Sequence, residues 1–340
     1  MKEIGFGIIG TGMIASMHMA GIEAVDGARL VAVSDVIEEK AKKAGEEKQI
    51  AWYTDYKKML ERPDIDVVSI CTPSGLRGQI AIDAAAAGKH IVAEKPLEVT
   101  LEKADAMIEA CDKAGVKLAV IMQNRFLDGL QSLKQDIEKG AFGRLVLGDS
   151  YVKWYRSQSY YDAGGWRGTW ALDGGGALMN QAIHYVDLLQ WLMGPVESIA
   201  GYAATLTRRI EVEDTAVACL KFKSGALGVI EACTSSYPGS SARIEIRGEK
   251  GTAIAEDGYL KYRSVEGEEE FRSDSAKASG ASDPAAIGCI GHIRQIADMV
   301  EAIRENRDPM VDGREARKAV EIILGIYESS KTGKVIRISE

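Results

Sequence analysis

The spacing of apolar and polar positions changes character near residue 123. Before it, the apolar runs 4–9, 30–33, 66–71, 89–93 and 116–122 are short and nearly continuous, the pattern of strands buried on both faces. Between them lie stretches with helical spacing and helix-end residues. A charged helix follows Asp35 to about Gln49, a short strand covers 51–53, and Thr54 or Asp55 can cap a helix through Leu60. Residues 80–87 read as a helix stopped by Gly88, and Thr100 caps another through Lys113, ended by Gly115. Strands and helices in alternation predict a doubly wound, mostly parallel sheet.

After about residue 124 the order is different. A helix near 129–139 leads into a strand at 145–154, and a glycine-rich stretch precedes a long helix at 176–193. Extended segments follow at 196–206, 214–222, 226–235, 241–247, 251–256 and 259–264, with turn residues at 223–225 and 256–258. Sequential strands with tight turns predict a large, mostly antiparallel open sheet. Helices at about 289–305 and 313–330 and a terminal strand at 335–338 complete an α+β domain. The expected domains are therefore 1–123 and 124–340. Residues 273–284, rich in Ser, Ala and Gly, read as a mobile loop, and there is no internal repeat.

Composition narrows the partners. The 340 residues suffice for roughly two domains of ~150 residues each. The net charge of −8 comes from interspersed acids and bases, so there is no basic track for nucleic acid. The chain has no apolar stretch long enough to span a membrane and no cationic–apolar leader, so a cytoplasmic protein is expected. Cys71, Cys111, Cys219, Cys233 and Cys289 are scattered and odd in number, as expected of reduced thiols. No two of the four histidines have zinc-ligand spacing, so no metal is expected.

The first strand runs into Gly10-Thr11-Gly12-Met13-Ile14-Ala15, and the second ends in Ser34-Asp35. Strand, glycine turn, helix, strand and acid is the order of a dinucleotide-binding βαβ unit. Gly10 permits the tight turn, Gly12 lets backbone approach a pyrophosphate, Ala15 keeps the helix near the sheet, and the helix N-terminus faces the anion. Asp35 can accept the adenosine ribose hydroxyls. Val36 follows it, not Arg, so NAD is favoured over NADP.

Ligands of such sheets bind beyond the carboxyl ends of the strands. Those ends carry Thr72-Pro73-Ser74, Glu94-Lys95-Pro96 and Gln123-Asn124-Arg125. A desolvated Lys95 ammonium can stabilise alkoxide character developing on a substrate oxygen; an ordinary lysine paired with Glu94 is the alternative. Asn180, His184 and Asp187 fall at i, i+4 and i+7 on one face of an apolar helix, where a polar pocket or structural partners must satisfy them. His184 can take and return a proton near neutral pH, while Asp187 can serve structure alone. Trp166-Arg167-Gly168-Thr169-Trp170 offers aromatic faces and a cation for a sugar, or a plug for a domain interface. Tyr151, Trp154, Tyr155, Arg156, Tyr160 and Tyr161 add to a carbohydrate-like lining.

Taken together, Gly10-x-Gly12-x-x-Ala15, Thr72-Pro73, Glu94-Lys95-Pro96 and Gly174-Gly175-Gly176-x-Leu178-x-Asn180-x-x-x-His184-x-x-Asp187 resemble the Gfo/Idh/MocA family of nicotinamide-dependent oxidoreductases. The resemblance spans essentially the whole chain. It implies a Rossmann domain, then an open sheet that often forms the oligomer interface, so a homodimer or homotetramer. It also implies oxidation or reduction of a ring carbinol of a sugar, sugar acid, glycoside or inositol. The family lysine maps to Lys95 and its helix histidine to His184. Two departures stand out. Many members have Asp where this chain has Asn180, a branch resembling dehydrogenases of nucleotide-linked N-acetylglucosaminuronate and of glycosides. The family's Thr-Pro-Asn-x-x-His reads Thr72-Pro73-Ser74-Gly75-Leu76-Arg77, without the histidine.

The sequence thus predicts an NAD-dependent dehydrogenase with Lys95, His184 and Asn180 catalytic. The expected cofactor contacts are Gly10, Thr11, Gly12, Met13, Ile14, Asp35, Thr72, Pro73, Ser74, Glu94, Lys95, Asn124, Trp166 and Arg167. The expected substrate contacts are Lys95, Arg125, Tyr151, Trp154, Trp166, Arg167, Asn180 and His184. An NAD-dependent glycosidase using transient oxidation, and a non-catalytic NAD-binding regulator, are the rival functions.

Overall fold

The computed structural model describes residues 3–273, 281 and 288–338; most of the expected loop at 273–284 lies outside them. The chain divides into two compact units, one of residues 1–123 with 289–317 and one of 124–288 with 318–340.

The first unit begins with β1 (Ile4–Ile9), α1 (Ala15–Ala24), β2 (Ala28–Ser34), α2 (Glu38–Lys48), β3 (Ala51–Tyr53) and α3 (Tyr56–Leu60). It continues with β4 (Val67–Ile70), α4 (Arg77–Ala86), β5 (His90–Ala93), α5 (Leu101–Ala114) and β6 (Leu118–Val120). The six strands are all parallel in the order β3-β2-β1-β4-β5-β6. The order reverses between β1 and β4, which is where a doubly wound sheet opens a ligand crevice. Capping follows the sequence: Asp55 accepts Lys57 N–H at 2.9 Å, Thr100 accepts Lys103 N–H at 3.3 Å, and Gly115 takes φ +67°.

The second unit opens with α6 (Asp128–Glu138), β7 (Leu145–Lys153) and α7 (Gln158–Asp162), and a π-helical turn at Ala177–Ala182 then runs into α8 (Ile183–Met193). β8 (Val196–Ala204), β9 (Thr215–Phe222), β10 (Leu227–Cys233), β11 (Arg243–Gly248), β12 (Gly251–Glu256), β13 (Tyr259–Val265) and β14 (Phe271–Arg272) follow. The chain ends with α9 (Ile290–Glu305), α10 (Gly313–Thr332) and β15 (Ile336–Arg337). The nine-stranded sheet has the order β14-β13-β12-β11-β7-β10-β9-β8-β15 and is antiparallel except for the β7–β10 pair. One face carries α8: a side chain on Gly148 of β7 would meet Met193 and Leu189.

Two expectations change. The expected single helix at 176–193 has a π-helical first part, a form that concentrates at functional sites. The segment 289–317 belongs with the first unit and not with the rest of 124–340. Its apolar stripe explains why: Ile296, Met299 and Val300 of α9 are buried in one cluster with Ala15, Met19 and Ile22 of α1.

Candidate active site

In the first unit, the glycine turn has the form a dinucleotide needs. Gly10 sits at φ +91°, and a Cβ there would lie 2.9 Å from the Cys71 carbonyl, so only glycine fits. A Cβ on Gly12 would meet nothing within 4 Å, leaving open space over the turn. Met13 is exposed, Ile14 half-buried, and Ala15 buried against the sheet. Asp35 Oδ2 accepts the Thr11 N–H at 2.8 Å and the Thr11 hydroxyl at 3.0 Å, and Oδ1 accepts Ile37 N–H at 2.9 Å. The acid is thereby fixed beside the turn. Val36 is 86% exposed and offers no donor to a 2′-phosphate.

The other strand ends are bound to each other. Arg77 is buried, and it donates from Nε to the Thr72 carbonyl at 3.1 Å and from Nη1 to the Pro96 carbonyl at 2.7 Å. The residue standing where the sequence lacks a histidine therefore joins Thr72-Pro73 to the Lys95 turn. Ser74 is buried, and the buried Thr72 hydroxyl has no hydrogen bond among the described residues, so a bound ligand would satisfy it. Lys95 is half-buried between buried Glu94 and Pro96. These groups fit a nicotinamide dinucleotide: anion-facing turn, ribose acid and an orphaned hydroxyl at the switch point.

In the second unit, the π-helical turn is anchored by a buried acid. Glu213 accepts Gly176 N–H at 3.0 Å, Leu178 N–H at 2.8 Å and the Tyr327 hydroxyl at 2.8 Å. Burial pushes Glu213 up to about 7 against the pull of those donors. A Cβ on Gly176 would collide with the Glu213 carbonyl, and one on Gly175 with the Tyr327 hydroxyl. The glycine triplet is thus what allows the acid and the tyrosine to close on the turn.

That anchoring places Asn180, half-buried like His184 four residues on, in a polar network. Asn180 Nδ2 donates to Asp173, whose second oxygen accepts Gly168 N–H at 2.8 Å. Gln181 Nε2 donates to Asn180 Oδ1 at 2.9 Å and to the Tyr160 hydroxyl at 3.1 Å. The Arg167 guanidinium lies 4.7 Å from the Tyr160 ring centre and 4.9 Å from that of Trp166. Its buried Nε has no hydrogen bond among the described residues.

The structure separates several residues that the sequence grouped. Asp187, expected on the Asn180–His184 face, is 1% exposed and pairs with Arg125 Nη2 at 2.6 Å and Nε at 2.7 Å. Arg125, expected to touch substrate, is itself 1% exposed beneath the Trp191 ring, because a buried guanidinium needs that fork. Tyr151 shares the sheet face of Lys153, 5.1 Å from its ammonium, while its neighbour Val152 is buried. Strand alternation puts it opposite the face that carries α8. Trp154 is a core residue stacked edge-on against Tyr185 of α8 at 6.3 Å. Asn124 is half-buried in a 3-10 turn at Gln123–Phe126. Sequence reasoning missed Asp173, Gln181 and Glu213; the acid beside the glycine triplet was the one available signal.

The fold also assembles a cluster that histidine spacing did not reveal. His18 of α1, Glu94 of β5's end and His292 of α9 are all buried, with ligand-type atoms within 4.8 Å of one another.

A glycine turn with a fixed ribose acid, followed by a unit with a polar helix face, defines an NAD-binding oxidoreductase. The chain belongs to the GFO/IDH/MocA family: residues 4–122 match its oxidoreductase domain with NAD-binding Rossmann fold, and 130–254 match its C-terminal domain. The WlbA dehydrogenase from Bordetella pertussis, solved with NADH and UDP-GlcNAcA, is 38% identical, with TM-score 0.89 over 100% of this chain and 99% of that one. Its counterpart from Chromobacterium violaceum, solved with the same two ligands, is 36% identical, with TM-score 0.88 over 100% and 97%. The myo-inositol 2-dehydrogenase of Thermotoga maritima is 33% identical over 74% of this chain and 75% of its own length.

Proposed function

We propose that this NAD-dependent carbohydrate dehydrogenase oxidises a ring hydroxyl of a nucleotide-linked sugar acid, of the UDP-N-acetylglucosaminuronate type. The observation that carries the substrate class is Arg167. A half-buried guanidinium stacked on two aromatic rings, with an unsatisfied Nε, fits the carboxylate of a sugar acid beside the sugar face. The full-length likeness to two dehydrogenases solved with UDP-GlcNAcA supports the same class. Dehydrogenases among the relatives favour net oxidation over the glycosidase and regulator alternatives.

NAD, when bound, supplies the hydride acceptor. The chain's own groups handle the proton and the charge. His184 accepts the hydroxyl proton, and the Lys95 ammonium stabilises the oxygen as the C–H bond breaks. Asn180, fixed at both ends of its amide by Asp173 and Gln181, orients the ring and carries no charge of its own. Thr11, Gly12, Met13, Ile14, Thr72, Pro73 and Ser74 are the proposed cofactor contacts with Asp35, and Trp166 with Arg167 the proposed sugar platform.

Two wider features belong to the same proposal. The sheet face opposite α8 bears Leu147, Tyr202, Val217 and Leu227, all exposed and joined through strand pairing, and fits a self-association surface. The five cysteines are free thiols, in keeping with a reducing cytoplasm. Among the described residues no helix is long and apolar enough to cross a membrane.

Calorimetric titration of the NADH-loaded enzyme tests the substrate class. UDP-N-acetylglucosaminuronate should bind at least ~10-fold tighter than UDP-N-acetylglucosamine, and Arg167→Ala should erase the difference. Equal binding of the two, or tighter binding of free myo-inositol, would refute it. Light scattering should give an assembly larger than a monomer, shifted toward the monomer by Val217→Glu.

A further inference from the structure

The Lys95 turn is gripped from inside. Glu94 is 3% exposed, and its carboxylate turns into the first unit and away from solvent. Oε2 accepts the backbone N–H of Lys95 at 3.0 Å. Oε1 accepts His18 Nε2 at 3.0 Å and lies 3.5 Å from His292 Nε2. The two imidazoles meet edge to face at 5.7 Å. On the far side of the turn, Arg77 holds the Pro96 carbonyl. Lys95 is the one half-buried residue between these two buried anchors.

From this geometry we propose that Glu94, held by His18 and His292, is a positioning residue that fixes the Lys95 backbone so that the ammonium emerges in one place. The proposal rests on the role assigned to Lys95 above. It gives Glu94 a place behind the turn, in contrast to the cofactor contact that the sequence suggested. A carboxylate taken out of water is stable only when its lone pairs are used, and here the Lys95 N–H and the His18 ring use them, with the His292 ring 3.5 Å away. Burial alone would raise Glu94, yet the His18 bond and the nearby His292 ring hold it well below the usual carboxylate range. Burial lowers His18 against the upward pull of the Glu94 carboxylate. The reach is also wide. His18 follows the glycine turn on α1 and His292 lies on α9, so the carboxylate is where those two helices meet the catalytic turn.

Two histidines and a carboxylate are also the ligand types of a zinc site. The observed bonding argues for the positioning role. A metal would have to displace the His18 N–H from Oε1, close to the positive charge of Arg77, which already acts on both Glu94's neighbour Cys71 and His18.

Amide hydrogen exchange of Lys95 in the NAD-loaded enzyme tests the proposal without any substrate. Pro96 has no N–H, so overlapping peptides that differ only in whether they report Lys95 resolve its amide. It should be protected in wild type and in Glu94→Gln, whose carbonyl can still accept, and exchange at least ~10-fold faster in Glu94→Ala. With UDP-N-acetylglucosaminuronate as substrate, Glu94→Ala should lose about 10²-fold in kcat with KM and NADH affinity within about twofold, and Glu94→Gln should recover most of it. If Glu94→Ala does not fold, His292→Ala should show intermediate exchange and rate losses. Unchanged Lys95 exchange in these variants, or a stoichiometric zinc ion that survives chelation in the purified enzyme, would overturn the proposal. An active Lys95→Ala enzyme with the exchange pattern intact would instead mark failure of the role given to Lys95.

Discussion

Asp173 accepts a hydrogen bond from the side chain of Asn180, four residues before His184. An amide at 180 is therefore the natural partner of a 1%-exposed carboxylate at 173. Asn180→Asp would set two carboxylates against each other, and the pair would share a proton at neutral pH. Stability should fall by about 2 kcal/mol or more between pH 5 and pH 8 relative to wild type. The exchange Asp173→Asn/Asn180→Asp should restore it, because one acid and one amide face each other again. Urea unfolding at the two pH values reads both effects.

Cofactor choice depends on Asp35. A 2′-phosphate would meet a carboxylate with only Val36 beside it, so NADP should bind at least ~10-fold more weakly than NAD. Asp35→Ser should narrow that preference. It should also weaken NAD, since the same carboxylate anchors the Thr11 N–H and hydroxyl. Fluorescence titration with NADH and NADPH measures both; equal affinities in wild type would contradict the assignment.

The Arg125–Asp187 fork is expected to act on stability and not on substrate affinity. Asp187→Ala leaves a guanidinium buried without its carboxylate, which should cost about 3–5 kcal/mol in chemical unfolding. KM measured below the unfolding range should move less than about twofold. A large KM change with normal stability would return Arg125 to the substrate.

Glu213 should give stability an opposite pH trend from most acids. Its folded value, raised from 4.5 to about 7, means that the native state holds a proton the unfolded chain has released. The native state therefore has its full stability below pH 4.5 and loses about 3 kcal/mol as pH rises through 7. Glu213→Gln removes the titration, so the variant should gain on wild type between pH 5 and pH 8. A stability difference that stays constant over this range would mean the acid titrates normally.

The sequence made the βαβ unit, the two sheets and the half-buried helix face legible because each rests on local rules. Continuous apolar runs, capping residues and glycine turns act within a few residues of themselves. The contacts it hid are those between distant segments. His18, Glu94 and His292 come together only after α9 returns to the first unit. Arg125 and Asp187 are 62 residues apart in sequence and meet only once α8 is packed. Tyr151 is a different case. Its aromatic neighbours suggest a lining, while the two-residue alternation of β7, also visible in the sequence, sets it on the face of Lys153.

Single-turnover hydride transfer tests the dehydrogenase assignment most directly. Enzyme loaded with one equivalent of NAD is mixed with excess UDP-N-acetylglucosaminuronate, and NADH absorbance is followed in wild type, Lys95→Ala and His184→Ala. Wild type should form close to one NADH per active site, and each variant should do so about 10²-fold or more slowly while binding NAD normally. No NADH from wild type with this substrate or with a panel of sugars, sugar acids and inositols, or unchanged rates in both variants, would contradict the assignment.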